Sequence, residues 1–381
     1  MKKNYPILFL FLILFSKMFP GNFPEKDSAT VYYERGLEKH NSGDFHEAVK
    51  WFNRAIAVNP AMAQAYLGRA HSKNSLLDYK SALEDYNNAI RLKGLNWEES
   101  YEAYFNRGLT YASLQNLKAA MSNFDLAIRL NPRVAEAYYN RSIVRGMAGD
   151  YEGELADINK AIELNPKDSK AHNSRGIVHS MLENLPLALQ DYSKAIELDP
   201  QNANAWFNRA IIYYELKDYR KSLSDFNAAI KINPDAEMYD RRANVKCRLN
   251  DFRGAFDDYS AAISMQPKNH VAYLNRGKLK CELKDYSSAV DDFSKAIELK
   301  PDYSLAFYER GMARKKSNDT TGIMEDFSQA IEFKPDFEKA YYQRGLIKYM
   351  IGDPRGGCDD LNKAVRFGSD EAYQRLVQIC K

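Results

Sequence analysis

Apolar and small residues recur along this chain with the spacing of paired amphipathic helices. In His270–Leu283, Tyr273, Gly277 and Lys280 fall along one side of a helix. A second helix follows, in which Ala289, Phe293 and Ala296 mark one face of a 3.6-residue period. Asp285 stands between the two, a short acceptor of the kind that satisfies the free N–H groups of a helix start. Pro301 ends the second helix, because proline cannot continue one and disfavours helical geometry in the residue before it. Small residues at Gly277, Ala289 and Ala296 let the two backbones approach closely.

The same pattern returns 34 residues on as Phe307, Arg310, Gly311, Asp319, Asp326, Phe327, Ala330 and Pro335. It precedes the unit as Tyr239, Arg242, Asp251, Ala255, Asp258, Tyr259 and Pro267. Copies start near Ala29, Ala63, Tyr101, Ala135, Ser169, Ala203, Ala236, His270, Ser304 and Glu338. Each has Asp or Asn at the expected start of its second helix: Asp44, Asp78, Asn116, Asp150, Asn184, Asp218, Asp251, Asp285, Asp319 and Asp353. Alanine recurs at Ala55, Ala89, Ala127, Ala161, Ala195, Ala229, Ala262, Ala296, Ala330 and Ala364. Self-similarity at this period marks a solenoid of helix pairs.

With these residues in view, the unit resembles the tetratricopeptide repeat, and the resemblance spans Ala29 to Gly368 in ten copies. It implies an all-α fold, a right-handed superhelical solenoid of about ten helix-turn-helix TPR repeats. The first helices would line a concave groove. The expected organisation is 1–24 as a signal peptide or uncleaved anchor, 29–368 as the repeats, and 369–381 as a capping helix with Ala372, Tyr373, Leu376 and Cys380 on its apolar stripe. An irregular joint is expected near 94–100, where Gly94 replaces the usual proline and four extra residues follow. Repeat nine lacks the Asp-aromatic pair in Lys315–Gly322, so its turn should be looser.

Charge adds one departure from the family. Ten arginines recur in register where the family usually has a large apolar residue: Arg35, Arg69, Arg107, Arg141, Arg175, Arg209, Arg242, Arg276, Arg310 and Arg344. The second helices answer with Asp85, Asp157, Asp191, Asp225, Asp258, Asp292, Asp326 and Asp360, leaving Trp51 and Asn123 as exceptions. An anion-binding ladder is one reading. Pairing between helices is favoured, since an isolated buried charge is very costly.

Overall, 54 Lys and Arg against 51 Asp and Glu is close to neutral, which argues against a nucleic-acid partner. At the N-terminus, Lys2 and Lys3 precede the apolar run Ile7–Phe15, the layout of a secretory signal. A helix over Ile7–Phe19 would span only about 20 Å, short of the ~30 Å hydrocarbon core. Export to the cell envelope, periplasmic or secreted, is therefore the expectation, and the membrane is a partner only if this segment is retained. Cys247 and Cys281 hold equivalent positions in successive repeats, about 10 Å apart and too far to bridge. For Cys358 and Cys380 two buried thiols are favoured, with a disulfide as the alternative.

Groove positions carried over from the family give Phe105, Leu109, Tyr139, Ile143, Ile177, Phe207, Ile211 and Tyr214 as an apolar and aromatic stripe suited to a peptide. The alternative is that these side chains pack between neighbouring first helices. Repeats seven and eight turn polar there, with Asp240, Asn244, Arg248, Lys278 and Glu282. Repeats nine and ten carry Tyr308, Lys315, Lys316, Lys339, Tyr342 and Tyr349. None of the six histidines has a metal-ligand spacing, and His40 with His71 would supply only two ligands. No phosphate loop or nucleophile elbow is present in the sequence. The expected function is a non-enzymatic scaffold binding partner proteins or peptides in the groove, with no cofactor. A membrane-anchored assembly factor, or a carbohydrate-binding or enzyme-accessory subunit, is the alternative.

Overall fold

A computed structural model describes residues 27–319 and 322–380. Met1–Pro24, and with it the expected signal segment, lies outside the described residues. Among the described residues there are twenty-one helices and no strand. They form ten hairpins followed by a last helix, Asp370–Ile379. The chain divides into two units, 1–171 and 172–381, each with its own stacked hairpins.

Each hairpin closes on its small residues. The recurrent alanine of the second helix is fully buried in nine copies, and Ala161 is 2% exposed. One helical turn earlier, Phe52, Tyr86, Phe124, Ile158, Tyr192, Phe226, Tyr259, Phe293, Phe327 and Leu361 are buried against the first helix. The approach is close enough to require a minimal side chain opposite some of these rings. A Cβ added at Gly277 would lie 2.7 Å from Cε1 of Phe293. In the first unit, the first helices of repeats one to four touch in succession. In the second unit, those of repeats eight and nine do.

The turns inside the hairpins share one conformation. The residue before each cap position has a positive φ, from Gly43 at 81° and Leu77 at 62° to Lys284 at 63° and Gly352 at 91°. Only three of the ten are glycine, although this left-handed region is unfavourable for other L-residues. Asp44, Asp78, Asn116, Asp150, Asp218, Asp251, Asp285 and Asp353 then accept from a backbone N–H three residues on. Asn184 makes no such bond. Asp319 also departs from the expectation: Ile323–Phe333 starts after Gly322, so its second helix is shortened and Asp319 is not its cap. Near residue 94, Leu95 and Asn96 stay in the connection while Trp97 and Glu98 enter the next helix. Asn96 and Glu99 form a reciprocal capping box, and Trp97–Ser113 runs 17 residues.

The arginine–aspartate pairs are present in all eight repeats where the sequence offers them. Arg276 is typical: Nε donates to Asp292 Oδ2 at 2.9 Å and Nη2 to Oδ1 at 2.7 Å. Nη1 donates to Ser260 Oγ of the preceding repeat at 3.2 Å. Lys280 adds a second cation, 2.8 Å from Asp292. Lys73, Arg145, Lys246, Arg314 and Lys348 play the same part on their own aspartates. Asp360 is held below the ordinary carboxylate value: burial pushes it up, and Arg344 and Lys348 more than offset this. Where Asn123 replaces the aspartate, Arg107 keeps one bond of 2.7 Å and its pKa is lowered by burial. Where Trp51 does, Arg35 lies 4.9 Å from the ring centre.

The last helix corrects the thiol reading. It folds back over Pro354–Arg366, bringing the Cα atoms of Cys358 and Cys380 to 5.7 Å, and the two are joined in a disulfide. Cys247 and Cys281 are free.

Two outcomes are expected. Leu77 is 70% exposed, so Leu77→Gly gives up little burial and stabilises by about 0.5–1 kcal/mol, read from a urea midpoint. Arg276→Leu leaves a buried carboxylate short of a partner and costs about 3 kcal/mol, whereas Arg276→Leu with Asp292→Leu costs clearly less than the two single losses added. Strict additivity in the denaturation cycle contradicts the pairing.

Candidate functional site

Of the eight side chains expected in the groove, Phe105, Leu109, Tyr139 and Ile143 belong to the first unit. Phe105 is only 7% exposed; it stacks on Tyr101 and tilts against Phe124 with centroids 5.8 Å apart. It is a core residue, because its ring fills the space between the two helices of repeat three. Leu109 is half-buried against the same core. Tyr139 is half-buried and Ile143 is exposed.

In the same unit the two histidines do come together. The His40 and His71 rings are 6.4 Å apart, with His40 Nδ1 2.9 Å from Ser72 Oγ and His71 Nε2 3.3 Å from Asn106 Nδ2. Burial, then the neighbouring His40, pushes His71 down to about 4. Among the described residues no group of three or more His, Cys, Asp or Glu is placed to hold a metal ion.

In the second unit Ile177 is exposed, while Phe207, Ile211 and Tyr214 are half-buried against Phe226 and Val245. Phe207 meets Phe226 edge to face at 5.8 Å. Ile211 and Tyr214 line a hollow of about 220 Å³ with Phe226, Arg241 and Asn244. Tyr214 and Asn244 are shared with a larger hollow of about 420 Å³ that includes Cys247, Arg248, Asn275 and Lys278. Lys278 and Glu282 are shared in turn with a third, of about 350 Å³, lined by Cys281, Tyr308, Glu309, Met312, Lys316 and Lys339. The three make one continuous trough.

A polar network lies under its middle. Asn275 and Asn244 donate to Asp240 at 3.1 and 3.3 Å, and the Tyr259 hydroxyl donates to Asn244 Oδ1 at 3.0 Å. Burial raises the pKa of Asp240, the two amides only partly opposing it. Arg248 Nε reaches the Tyr214 hydroxyl at 3.4 Å. Burial also raises the Cys247 thiol and takes Cys281 up to about 11, so neither supplies a thiolate nucleophile near neutrality. At the far end Lys315 donates to Gln343 at 2.8 Å, and Lys278 faces Glu309 at 3.6 Å.

Sequence reasoning reached the apolar end of this trough through Ile211 and Tyr214. It saw the polar residues of repeats seven and eight but not that they enclose the largest of the three hollows. The signal was available: Asn275 directly precedes the recurrent Arg276, a position that faces the preceding repeat.

Tetratricopeptide repeat models match residues 29–62, 101–134, 203–236 and 270–303, and a TPR repeat model matches 182–217. Tetratricopeptide repeat protein 36 of Danio rerio is 40% identical over 75 residues, which is 20% of this chain and 40% of that relative. The matched stretch thus spans well under two thirds of that relative's length. A tetratricopeptide repeat protein from Parabacteroides merdae aligns over 67% of this chain and 99% of its own, with TM-score 0.51 and 20% identity. Pseudomonas aeruginosa pilF aligns over 58% and 99%, with TM-score 0.51 and 17% identity. These two structures bear on the fold alone. The chain belongs to the tetratricopeptide repeat proteins. Proteins of this class are in general non-catalytic scaffolds that bind protein or peptide partners.

The histidine pair yields a pH prediction. His71 in the folded chain titrates near 4 against about 6.5 unfolded, so the unfolded state binds more protons between those values. Its contribution to stability is full above pH 6.5 and is lost as pH falls toward 4, by about 3 kcal/mol. His71→Gln should flatten that part of a stability–pH curve; an unchanged slope would assign the effect to other groups.

Proposed function

We propose that this chain is an exported interaction scaffold that holds an extended segment of a partner protein in the trough of its second unit. The continuity of the three hollows, each sharing two residues with the next, supports the reading. One end offers Ile211, Tyr214 and Phe226; the other offers Lys278, Lys316 and Lys339 beside Tyr308. An occupant that fits has an apolar stretch and, at the other end, an acidic group, since Lys316 and Lys339 stabilise a carboxylate there while Glu309 already faces Lys278. Asn244 and Asn275 lie between, where side-chain amides complement peptide groups. Binding and positioning are the whole of the activity proposed.

Export rests on Lys2, Lys3 and the apolar run Ile7–Phe15, and is supported by the Cys358–Cys380 bond, since such bonds persist in oxidising compartments. Among the described residues no helix is long and apolar enough to cross a membrane. The mass of the mature N-terminus distinguishes a released chain from one anchored by its first residues.

The trough is tested by affinity capture from native envelope extract with the wild-type chain, Ile211→Asp and Lys278→Glu, each checked for helicity. Partners held by the wild type should bind at least about tenfold more weakly to both variants, a change of about 1.4 kcal/mol. A captured set unaltered in identity and affinity rejects the trough as the docking surface.

A further inference from the structure

The last helix is attached by very little apolar surface. Of the residues in Asp370–Ile379, only Ala372 is buried. Leu376 and Ile379 are half-buried against the cluster of Tyr341, Leu361 and Ala364, and Tyr373 and Val377 are 59% and 58% exposed. A helix of 10 residues is not stable alone in water, so something other than propensity must hold it. The cap from Ser369, whose side chain accepts from Ala372 N, acts within the helix and does not tie it down. The bond from Cys380, immediately after the helix, to Cys358 on Pro354–Arg366 does tie it down. Both cysteines are half-buried rather than enclosed in the core. The two remaining cysteines line the trough, one repeat apart, and do not compete for this pairing.

We propose that Cys358–Cys380 is a redox latch: oxidised, it holds the last helix over the apolar end of the second unit; reduced, it releases that helix and uncovers the apolar surface on which Leu376 and Ile379 pack. The co-reactant is a dithiol. One of its thiolates attacks a sulfur of the bond and displaces the other cysteine as a thiolate, and its second thiol then resolves the mixed disulfide. The dithiol leaves as a disulfide, having delivered two electrons and two protons to the chain. Closure is the reverse, with an oxidant of the disulfide class accepting them.

The test uses the full chain in oxidised and dithiothreitol-reduced form. Alkylation of the denatured chain should find two free thiols, Cys247 and Cys281, before reduction and four after it. Hydrogen exchange followed by mass spectrometry should show the amides of 370–379 exchanging at least about tenfold faster on reduction, with the repeats unchanged. Cys358→Ser with Cys380→Ser should behave as the reduced chain with or without dithiol, whereas Cys247→Ser should keep the response. Four alkylated thiols in the air-oxidised chain overturn the proposal, as does exchange at 370–379 that ignores reduction. Acceleration throughout the second unit overturns it too, since the bond would then be a staple of the whole unit.

Discussion

Most repeats depend on a half-buried guanidinium satisfied from two directions at once. Arg276 binds Asp292 within its own hairpin with two N–H groups and Ser260 of the preceding hairpin with a third. Hydrophobic contact between two helices is tolerant of small slides, because it scales with area and has no direction. A planar fork with three fixed donors is not tolerant of them. One residue type therefore fixes both the register inside a hairpin and the register between neighbours. The acceptors on the preceding hairpin are short and polar: Asn53, Asn87, Asp125, Ser193, Asn227, Ser260, Ser294 and Ser328.

In six of the eight pairs a second Lys or Arg joins the buried carboxylate. The aspartate side chains of these pairs are 1–6% exposed, and a single ion pair at such depth commonly fails to recover its desolvation. The second cation, Lys280 in repeat eight, also donates to the Ser288 carbonyl near the start of the second helix, so it closes the hairpin turn as well. This arrangement answers the anion-ladder reading. The recurrent arginines are committed between helices, and the arginines that line the trough, Arg241 and Arg248, are different ones. With the framework charges tied up there, the trough-facing positions are free to carry Ile211 in one repeat and Lys278 two repeats later.

The helices, their order and the arginine pairs were legible because each rests on a residue repeated ten or eight times in register. What escaped was what depends on one copy. Phe105 shares a groove position with Phe207, yet it lies under Tyr101 in the core of repeat three. A position in a repeat gives a direction from the helix axis but not the local depth, which its neighbours set. Asp319 has the right spacing for a cap, but the chain reaches the next helix through a positive φ at Gly322 instead. The second cation was overlooked for a different reason: Lys, Arg, His and Tyr all occur at its position, so no single letter recurs. The disulfide was hard to read because a bridge depends on how a helix outside the repeat folds back, and the repeat carries no information about that.

The last helix also shows what a repeat array needs at its end. Within each unit a hairpin is held by the arginine of the next one, as Ser328 is held by Arg344. The final hairpin has Asn362 at the position equivalent to Ser328, and its side chain donates to the Cys358 carbonyl of its own helix instead. The helix that follows carries no arginine in that register, and only Ala372 is deeply buried. Polar bridging and core burial, the two means that order every other neighbour, are both weak at this junction. A covalent bond is the remaining way to fix one element on another without a large interface, and Cys358 with Cys380 provides it. The departure from the repeat thus falls where the repeat's own physics gives least.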